Sequence, residues 1–116
     1  MQHMNSKKMR ECADTCQECR AVCLETLAYC LDKGGKHAAA GHIRLLIDCA
    51  EICSTSAGFL LRGSELHDRT CAACADVCDA CARSCDAMGD DAQMKRCAEV
   101  CRRCAQSCRP MATAAA

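Results

Sequence analysis

The sequence predicts an all-α fold, an antiparallel up-down-up-down four-helix bundle with a cysteine-lined core. Sixteen of the 116 residues are cysteine, and thirteen of these fall in three runs whose steps alternate between three and four residues. That alternation is the heptad rhythm that places every member on one stripe of an α-helix. Glycine and proline divide the chain into four segments with short connections, which favours antiparallel neighbours. The length fits one domain over residues 1–116.

Capping residues and chain breakers set the bounds of the four predicted helices. A Ser, Asn or Asp side chain stands before the first, third and fourth, where its oxygen can accept a bond from a free backbone N–H. Glycine follows the first three helices, and the only proline, Pro110, closes the fourth. We expect residues 111–116 to fray. The predicted helices cover about residues 6–32, 37–62, 65–88 and 91–109, with N-caps at Asn5 or Ser6, Ser64, and Asp90 or Asp91.

Three of the predicted helices carry long cysteine ladders on the seam where a bundle normally places leucine. The first helix also has Cys30 beyond its ladder, and the second carries only Cys49 and Cys53. With one Phe, one Tyr and no Trp, the core must be filled by cysteine, alanine, leucine, isoleucine and methionine. The ladders are Cys12, Cys16, Cys19 and Cys23 in the first helix, Cys71, Cys74, Cys78, Cys81 and Cys85 in the third, and Cys97, Cys101, Cys104 and Cys108 in the fourth.

The second predicted helix is apolar on more than one face. A helix of this kind is usually buried from two sides. One side faces the bundle, so we expect the other to face a second subunit and predict a homo-oligomer. The apolar residues are Ile43, Leu45, Leu46, Ile47, Ile52, Phe59, Leu60 and Leu61.

Methionines and histidines continue the cysteine seam at both ends of the predicted bundle. For any single Met, gap-filling in the core is the usual role, and a His at a helix end is usually solvated or hydrogen-bonded. Thioethers and imidazoles at both ends also fit ligands through which a metal enters or leaves, and the sequence leaves both interpretations open. His42, His67, Met88 and Met94 are therefore candidate metal ligands. Met9, His67 and Met111 are predicted at one end, and Cys30, His42, Met88 and Met94 at the other.

The spacing of the thiols favours metal ligation over disulfide bonds. Neighbours within one ladder are expected to have Cβ atoms about 5–6 Å apart, whereas a disulfide needs about 3.8 Å. Disulfides between helices remain geometrically possible, although a reducing cytosol disfavours them. Zinc and iron–sulfur motifs usually draw cysteines from loops around a compact site, whereas the CxxC pairs here lie inside predicted helices. Soft thiolates and thioethers select Cu(I), which suits a row of sulfurs.

Charge balance also favours a monovalent ion. Buried thiolates cannot persist unpaired, because burying an isolated charge is too costly. If each sulfur bridges two Cu(I) ions and each ion holds two sulfurs, the assembly is neutral at a ratio of one to one. The expected capacity is then on the order of one Cu(I) per cysteine. Without metal the protonated thiols are small apolar side chains, so we expect the apo bundle to stay folded.

Composition argues against several other functional classes. Fifteen basic and fifteen acidic residues give a net charge of zero, so no nucleic acid or anionic membrane is expected as a partner, and few aromatic rings are present for base stacking. The N-terminus lacks the apolar segment of a signal peptide, and no stretch approaches a membrane span. We therefore expect a cytoplasmic protein. Glu11, Asp14, Glu18, Asp76 and Glu99 fall off the cysteine stripe as a solvated outer face, and without a catalytic constellation we expect no enzyme.

Three segments carry a specific cysteine pattern, HIRLLIDCAEIC in helix 2, CAACADVCDACARSC in helix 3 and CAEVCRRCAQSCRPM in helix 4. They resemble the cytosolic copper storage proteins, a family of bacterial four-helix bundles, and the resemblance spans about residues 8–112. It implies a tetramer of bundles, each storing many Cu(I) ions in a cysteine-lined core that metal enters at one end. It also implies that all sixteen cysteines are copper ligands.

Thr26, His42 and Met94 depart from the family pattern, in which these positions carry cysteine. His42 and Met94 can still bind copper, whereas a threonine hydroxyl is a poor ligand for a soft ion. The resemblance therefore implies an altered capacity and an altered chemistry at the end of the bundle that bears His42, Met88 and Met94.

The leading functional hypothesis is a cytosolic Cu(I) storage and buffering protein that exchanges copper with donor or acceptor proteins. A thiol–disulfide relay protein is one alternative, because CxxC and CxxxC pairs occur in such proteins. A relay needs only two or four cysteines, however, and does not explain a stripe of five. Storage of another soft metal, such as Zn(II) or Cd(II), is the other alternative.

Overall fold

The computed structural model describes residues 2–114, with side chains described for residues 6–112. Within that part, the chain forms four α-helices and one short 3-10 helix. The α-helices are α1 (Gln2–Lys33), α2 (Ala40–Leu61), α3 (His67–Asp86) and α4 (Ala92–Ala114), and the 3-10 helix is Gly35–Ala38.

The four helices pack as an antiparallel up-down-up-down bundle. Helix α1 lies against α2 and α4, and α3 lies against the same two helices, while no backbone contact joins either diagonal pair within residues 2–114. The bundle is elongated, with principal extents of 49 × 20 × 19 Å. The sequence prediction of an all-α four-helix bundle is confirmed.

Helix α1 ends at the glycine pair as predicted, but α2 begins later than predicted. Gly34 and Gly35 have φ of 73° and 59°, a left-handed backbone that glycine adopts without a steric penalty. The chain then forms the 3-10 helix, and Ala39 is extended at ψ 139°. This extended residue separates the 3-10 helix from α2, which begins at Ala40 rather than near residue 37.

Helix α3 is shorter at both ends than the predicted range of about residues 65–88. The predicted cap at Ser64 is wrong, because its Oγ accepts a hydrogen bond from the Leu66 N–H at 3.1 Å within the connecting turn. The helix begins at His67, whose N–H donates to the Ser64 carbonyl at 3.2 Å. At the other end the helix stops at Asp86, and Met88 lies in the turn that follows.

Helices α1 and α4 extend beyond their predicted bounds. Asn5 and Ser6 lie inside α1 and do not cap it. Pro110 lies inside α4 and does not close it, because proline has a helical φ and an exposed position near the helix end loses only one hydrogen bond. Residues 111–114 are therefore helical and not frayed as predicted, and residues 115–116 lie outside the described part of the chain.

The core consists mainly of thiols and methyl groups. Every cysteine side chain is at most 1% exposed. Leu46, Met94 and Val22 are the largest apolar side chains with no more than 2% exposure. The small side chains around them let the helices pack closely. The buried alanines are Ala13, Ala50, Ala57, Ala75, Ala82, Ala98 and Ala105, and the buried polar residues are Thr26, His37, His42 and Ser56.

Arginines of α4 form ion pairs with carboxylates of both neighbouring helices. Arg96 and Arg103 reach glutamates of α1, with an Nη1–Oε1 distance of 3.0 Å between Arg103 and Glu18. Arg102 and Arg109 reach aspartates of α3. Because all these side chains are partly exposed, each pair adds little stability, and their positions agree with the predicted solvated outer face.

A partly buried hydrogen-bonded cluster closes one end of the bundle. The Tyr29 hydroxyl donates to Asp91 Oδ2 at 2.6 Å, and His37 Nε2 lies 3.2 Å from the same oxygen. The hydrogen bond to Asp91 raises the pKa of Tyr29, and the hydrogen bond from Tyr29 lowers the pKa of Asp91. The cluster ties the 3-10 helix and the α3–α4 connection to the end of α1.

Replacing Tyr29 with phenylalanine is expected to lower the melting temperature of the reduced apo protein by a few degrees at neutral pH. The pKa of Asp91 is lowered in the folded chain. The ionised Asp91 therefore stabilises the fold fully above the ordinary carboxyl pKa of about 4. That contribution is lost as the pH falls through the lowered folded value. The difference in melting temperature between wild type and Tyr29→Phe, measured by circular dichroism, should shrink below about pH 4. A difference that is independent of pH would contradict this assignment.

Candidate metal centre

The sulfur atoms form a column along the axis of the bundle, to which all four helices contribute. Cys16 of α1 lies 3.6 Å from Cys108 of α4, measured between Sγ atoms. Cys49 of α2 lies 3.6 Å from Cys78 of α3 and 3.9 Å from Cys101 of α4. The diagonal helices α2 and α4 thus meet through their sulfurs, because a cysteine side chain on each seam reaches the axis.

Fourteen of the sixteen cysteines belong to five groups in which all Sγ atoms lie within 4.8 Å of one another. Consecutive groups share members, so the groups form one chain from end to end of the column. Cys30 and Cys85 are the two cysteines outside the groups. The groups are Cys12, Cys71 and Cys108; Cys16, Cys74, Cys104 and Cys108; Cys19, Cys53, Cys78 and Cys104; Cys19, Cys23, Cys49 and Cys101; and Cys23, Cys81, Cys97 and Cys101.

The distances between the sulfurs fit shared ions and not disulfides. All sixteen cysteines lie within the described residues and are free thiols. Their closest Sγ–Sγ contacts of 3.6–3.9 Å are far longer than a disulfide bond of about 2.05 Å. Two sulfurs bound to one ion at about 2.3 Å each, as in zinc thiolate sites, lie at most about 4.6 Å apart. The column can therefore accept soft ions between its sulfurs after small shifts of the side chains.

Contacts between thiols shift their pKa values in opposite directions. A hydrogen bond from Cys108 lowers the pKa of Cys12, and the contacts with Cys104 and Cys12 raise the pKa of Cys108. Burial raises the pKa of Cys30 to about 11. Because the column loses protons as a coupled set and isolated buried thiolates are costly, a bound cation is the natural partner for its charge.

Three of the candidate residues meet at the end of the bundle closed by the Tyr29 cluster. Cys30 Sγ lies 3.5 Å from His42 Nε2 and 3.7 Å from Met94 Sδ. Met94 is fully buried and His42 is 4% exposed. The other imidazole nitrogen of His42, Nδ1, lies 2.7 Å from Ser84 Oγ, and burial lowers the pKa of His42. A neutral imidazole in this place can direct a lone pair towards Cys30.

Thr26 takes a seam position between two cysteines of α1 and interrupts the column there. Its hydroxyl donates to the Val22 carbonyl at 2.7 Å and accepts a hydrogen bond from Gln93 Nε2 at 2.8 Å. The hydroxyl thus both donates and accepts a hydrogen bond within the protein. Cys30 is therefore set apart from Cys23, its nearest cysteine on the same helix.

The other candidate ligands lie near the ends of the bundle, and His67 is a member of none of the five thiol groups. His67 is half-buried, and its Nδ1 donates to the Ser64 carbonyl at 2.8 Å. Met88 is half-buried against the core near the end of α3, and Met111 packs against the core near the end of α4. Met9 is 9% exposed and lies close to the start of the column on α1.

Sequence reasoning missed two polar partners near the column. Ser84 was not identified as the partner of His42, although its place three residues after Cys81 puts it beside the seam of α3. His37 was given no role, yet it is 6% exposed and bound to Asp91. Its burial depends on the 3-10 helix, which has no periodic signal in the sequence.

A bundle with a continuous column of buried, unpaired thiols along its axis is a protein built to bind soft metal ions. A family model described as Csp, copper storage protein, matches residues 5–113. The chain belongs to the copper storage protein family, as the cysteine pattern predicted.

Solved structures of related proteins support the same assignment. A protein from Nitrosospira multiformis shares 43% identity at a TM-score of 0.86, covering 93% of this chain and 97% of its own. The Cu(I)-bound copper storage protein BsCsp3 shares 33% identity at a TM-score of 0.84, covering 91% and 99%. The apo form of copper storage protein 3 from Bacillus subtilis shares 34% identity at a TM-score of 0.80, covering 89% and 97%.

Two further results are negative. No protein with curated annotation matches the chain. None of the helices within residues 2–114 combines the length and the hydropathy that crossing a membrane requires.

In the native apo protein, we expect a thiol reagent such as Ellman's reagent to modify only a small fraction of the cysteines at early times. The thiols are at most 1% exposed, so modification requires opening of the bundle. The same reagent in guanidinium chloride should report all sixteen cysteines. Rapid reaction of many thiols in the native state would contradict a buried column, and fewer than sixteen in denaturant after non-reducing purification would favour a disulfide relay.

Proposed function

We propose that this chain stores and buffers Cu(I), and that it is a storage protein rather than an enzyme. The observation that carries the proposal is the chain of overlapping thiol groups, which offers bridging sulfurs along the length of the column. Binding of Cu(I) to a thiol releases one proton and leaves a neutral copper–thiolate unit. A neutral product fits a core from which water is excluded, since it buries no net charge.

Copper(I) suits this column better than a divalent ion. Zn(II) prefers four ligands in a tetrahedron, and four thiolates around it carry a net charge of minus two per site. Neighbouring groups here share cysteines, so zinc ions with four unshared thiolates each could not occupy every group. Cu(I) prefers soft sulfur ligands and accepts fewer of them, so shared sulfurs satisfy several ions.

We propose all sixteen cysteines as copper ligands, together with His42 and Met94. The distances from Cys30 Sγ to His42 Nε2 and to Met94 Sδ, 3.5 Å and 3.7 Å, support this assignment. For Met88 and His67 the ligand role stays a prediction. Met88 lies near the same end as His42 and is partly accessible, whereas His67 retains only Nε2 for a metal because Nδ1 is bonded to Ser64.

Titration of reduced apo protein with Cu(I) against a competing chelator is expected to show tight binding well beyond four equivalents per chain. Saturation should approach one equivalent per cysteine. Cys104 belongs to two thiol groups and Cys85 to none. Replacing Cys104 with serine should therefore reduce the capacity more than the matched Cys85→Ser variant does. Saturation of the wild type at one or two equivalents would exclude storage, and preferential retention of Zn(II) or Cd(II) from mixed metals would exclude copper as the cargo.

We also propose that the protein acts in the cytoplasm as a homo-oligomer, a tetramer in line with the family resemblance. Large apolar side chains are exposed at heptad spacing on the adjacent helices α1 and α2. They are Leu24 and Leu31, 39% and 55% exposed, and Ile47 and Leu61, 39% and 47% exposed. Several large apolar side chains exposed on two adjacent helices are a feature expected of an interface between subunits.

Changing Ile47 to glutamate is expected to shift the protein towards monomer, because a charge at an apolar contact opposes its burial. Sedimentation velocity gives the readout. Gln106→Glu adds the same charge on the α3–α4 side and serves as the matched control, which should sediment as wild type does. A monomeric wild-type protein at micromolar concentration would contradict the proposed assembly.

A further inference from the structure

One cysteine of the core has a donor environment unlike that of the rest. Cys30 lies outside the five thiol groups, and within the described residues its close sulfur and nitrogen neighbours are Met94 Sδ and His42 Nε2. All three side chains are buried. They come from α1, α2 and α4, so the end of the bundle brings one imidazole and one thioether to the same thiol.

The protein around these three donors holds them in a fixed arrangement. Ser84 of α3 bonds to His42 Nδ1 at 2.7 Å. When Nδ1 carries the proton and donates to Ser84 Oγ, the lone pair of Nε2 is directed to Cys30, as in metal sites where a second partner orients the imidazole. Helix α3 therefore contributes orientation while the other three helices contribute donors.

Thr26 separates this point from the thiol column. A cysteine at its position would stand between Cys23 and Cys30 and could bridge ions in both directions. The Thr26 hydroxyl instead bonds to Val22 and Gln93. The close contacts of the Cys30 sulfur are with His42 Nε2 and Met94 Sδ and not with another cysteine, so it lacks the short sulfur–sulfur contacts that join the members of the five groups.

The distances fit a single soft ion. With metal–sulfur bonds of about 2.3 Å and metal–imidazole bonds of about 2.0 Å, donors in a trigonal arrangement lie roughly 3.7–4.0 Å apart. Cys30 is 3.5 Å and 3.7 Å from the other two donors. Loss of the Cys30 proton on binding leaves a neutral site, because the one thiolate balances the one positive charge.

We propose that Cys30, His42 and Met94 hold one Cu(I) as a separate single-ion site, which exchanges with external ligands independently of the thiolate column. This proposal rests on the proposed function of copper storage. This site offers its ion one thiolate and two neutral donors, of which the imidazole is a harder ligand than sulfur, whereas an ion in the column is held by thiolates alone. Removing this ion also leaves every bridge in the column intact. The site therefore releases its copper first when a competing ligand is added.

The test uses full-length protein labelled at the methionine methyl carbons and the histidine rings. Met94→Leu conserves volume and assigns the Met94 methyl signal. On titration with Cu(I), we expect the Met94 methyl and the His42 ring signals to shift together. On back-titration with bicinchoninate, a Cu(I) chelator, both signals should return to their apo positions while at least nine-tenths of the copper–thiolate absorbance remains.

Two variants sharpen the result. In Cys30→Ser, the His42 and Met94 signals should stay at their apo positions while the column still loads. In Thr26→Cys, the site gains a bridging thiol. The Met94 and His42 signals should then return to their apo positions only as the thiolate absorbance is lost. Met111→Leu, at the other end of the bundle, is the matched control and should show the wild-type order of release.

The outcomes separate the two proposals. Storage fails if the wild type saturates at one or two equivalents, whatever the Met94 and His42 signals do. The separate site fails if the column loads fully while those signals do not move. It also fails if, in the wild type, they return only in step with the thiolate absorbance.

Discussion

The structure depends on the burial of neutral thiols along a helix seam. A protonated cysteine is small and apolar enough to replace leucine in a core, and the heptad spacing directs every ladder to the same axis. A single property of one side chain thus supports both states of the protein. The thiol packs as a hydrophobe without metal, and the thiolate binds a soft cation with metal, so the backbone that holds the ligands need not be built by the metal.

A core of thiols and alanines gives less apolar burial per residue than one of leucine and phenylalanine. Long helices offset this smaller burial, because they place many small side chains in contact along the axis. Leu46 and Leu60 of α2 supply the few large buried aliphatic groups. The arginines of α4 and the Tyr29–Asp91–His37 cluster add contacts outside the axis, where they do not compete with the thiols for metal. The ligands and the structural contacts thus occupy separate layers of the molecule.

The features that follow from periodicity could be predicted from the sequence, and those that follow from loop geometry could not. The ladders alone place Cys12 and Cys108 on one axis, and the seam brings Cys30, His42 and Met94 to one end. The extended backbone at Ala39 and the helical course through Pro110 lie at or near element boundaries, which sequence patterns define poorly. The pairing of His37 with Asp91 joins two connections far apart in sequence, so neither local propensity nor heptad spacing reveals it.

The two donor environments of the bundle follow from the same seam. Where the heptad keeps cysteine, each sulfur has sulfur neighbours on adjoining helices, and ligand sharing becomes the natural mode of binding. Where the seam carries Thr26, His42 and Met94 instead, sulfurs are no longer shared between ions. The Thr26 hydroxyl, bonded to Val22 and Gln93, offers no sulfur. The Met94 thioether carries no charge. The helices, their spacing and the axis are unchanged across this boundary. On the proposed assignment, three residue changes on one backbone are enough to divide a shared store of ions from a single-ion site at its end.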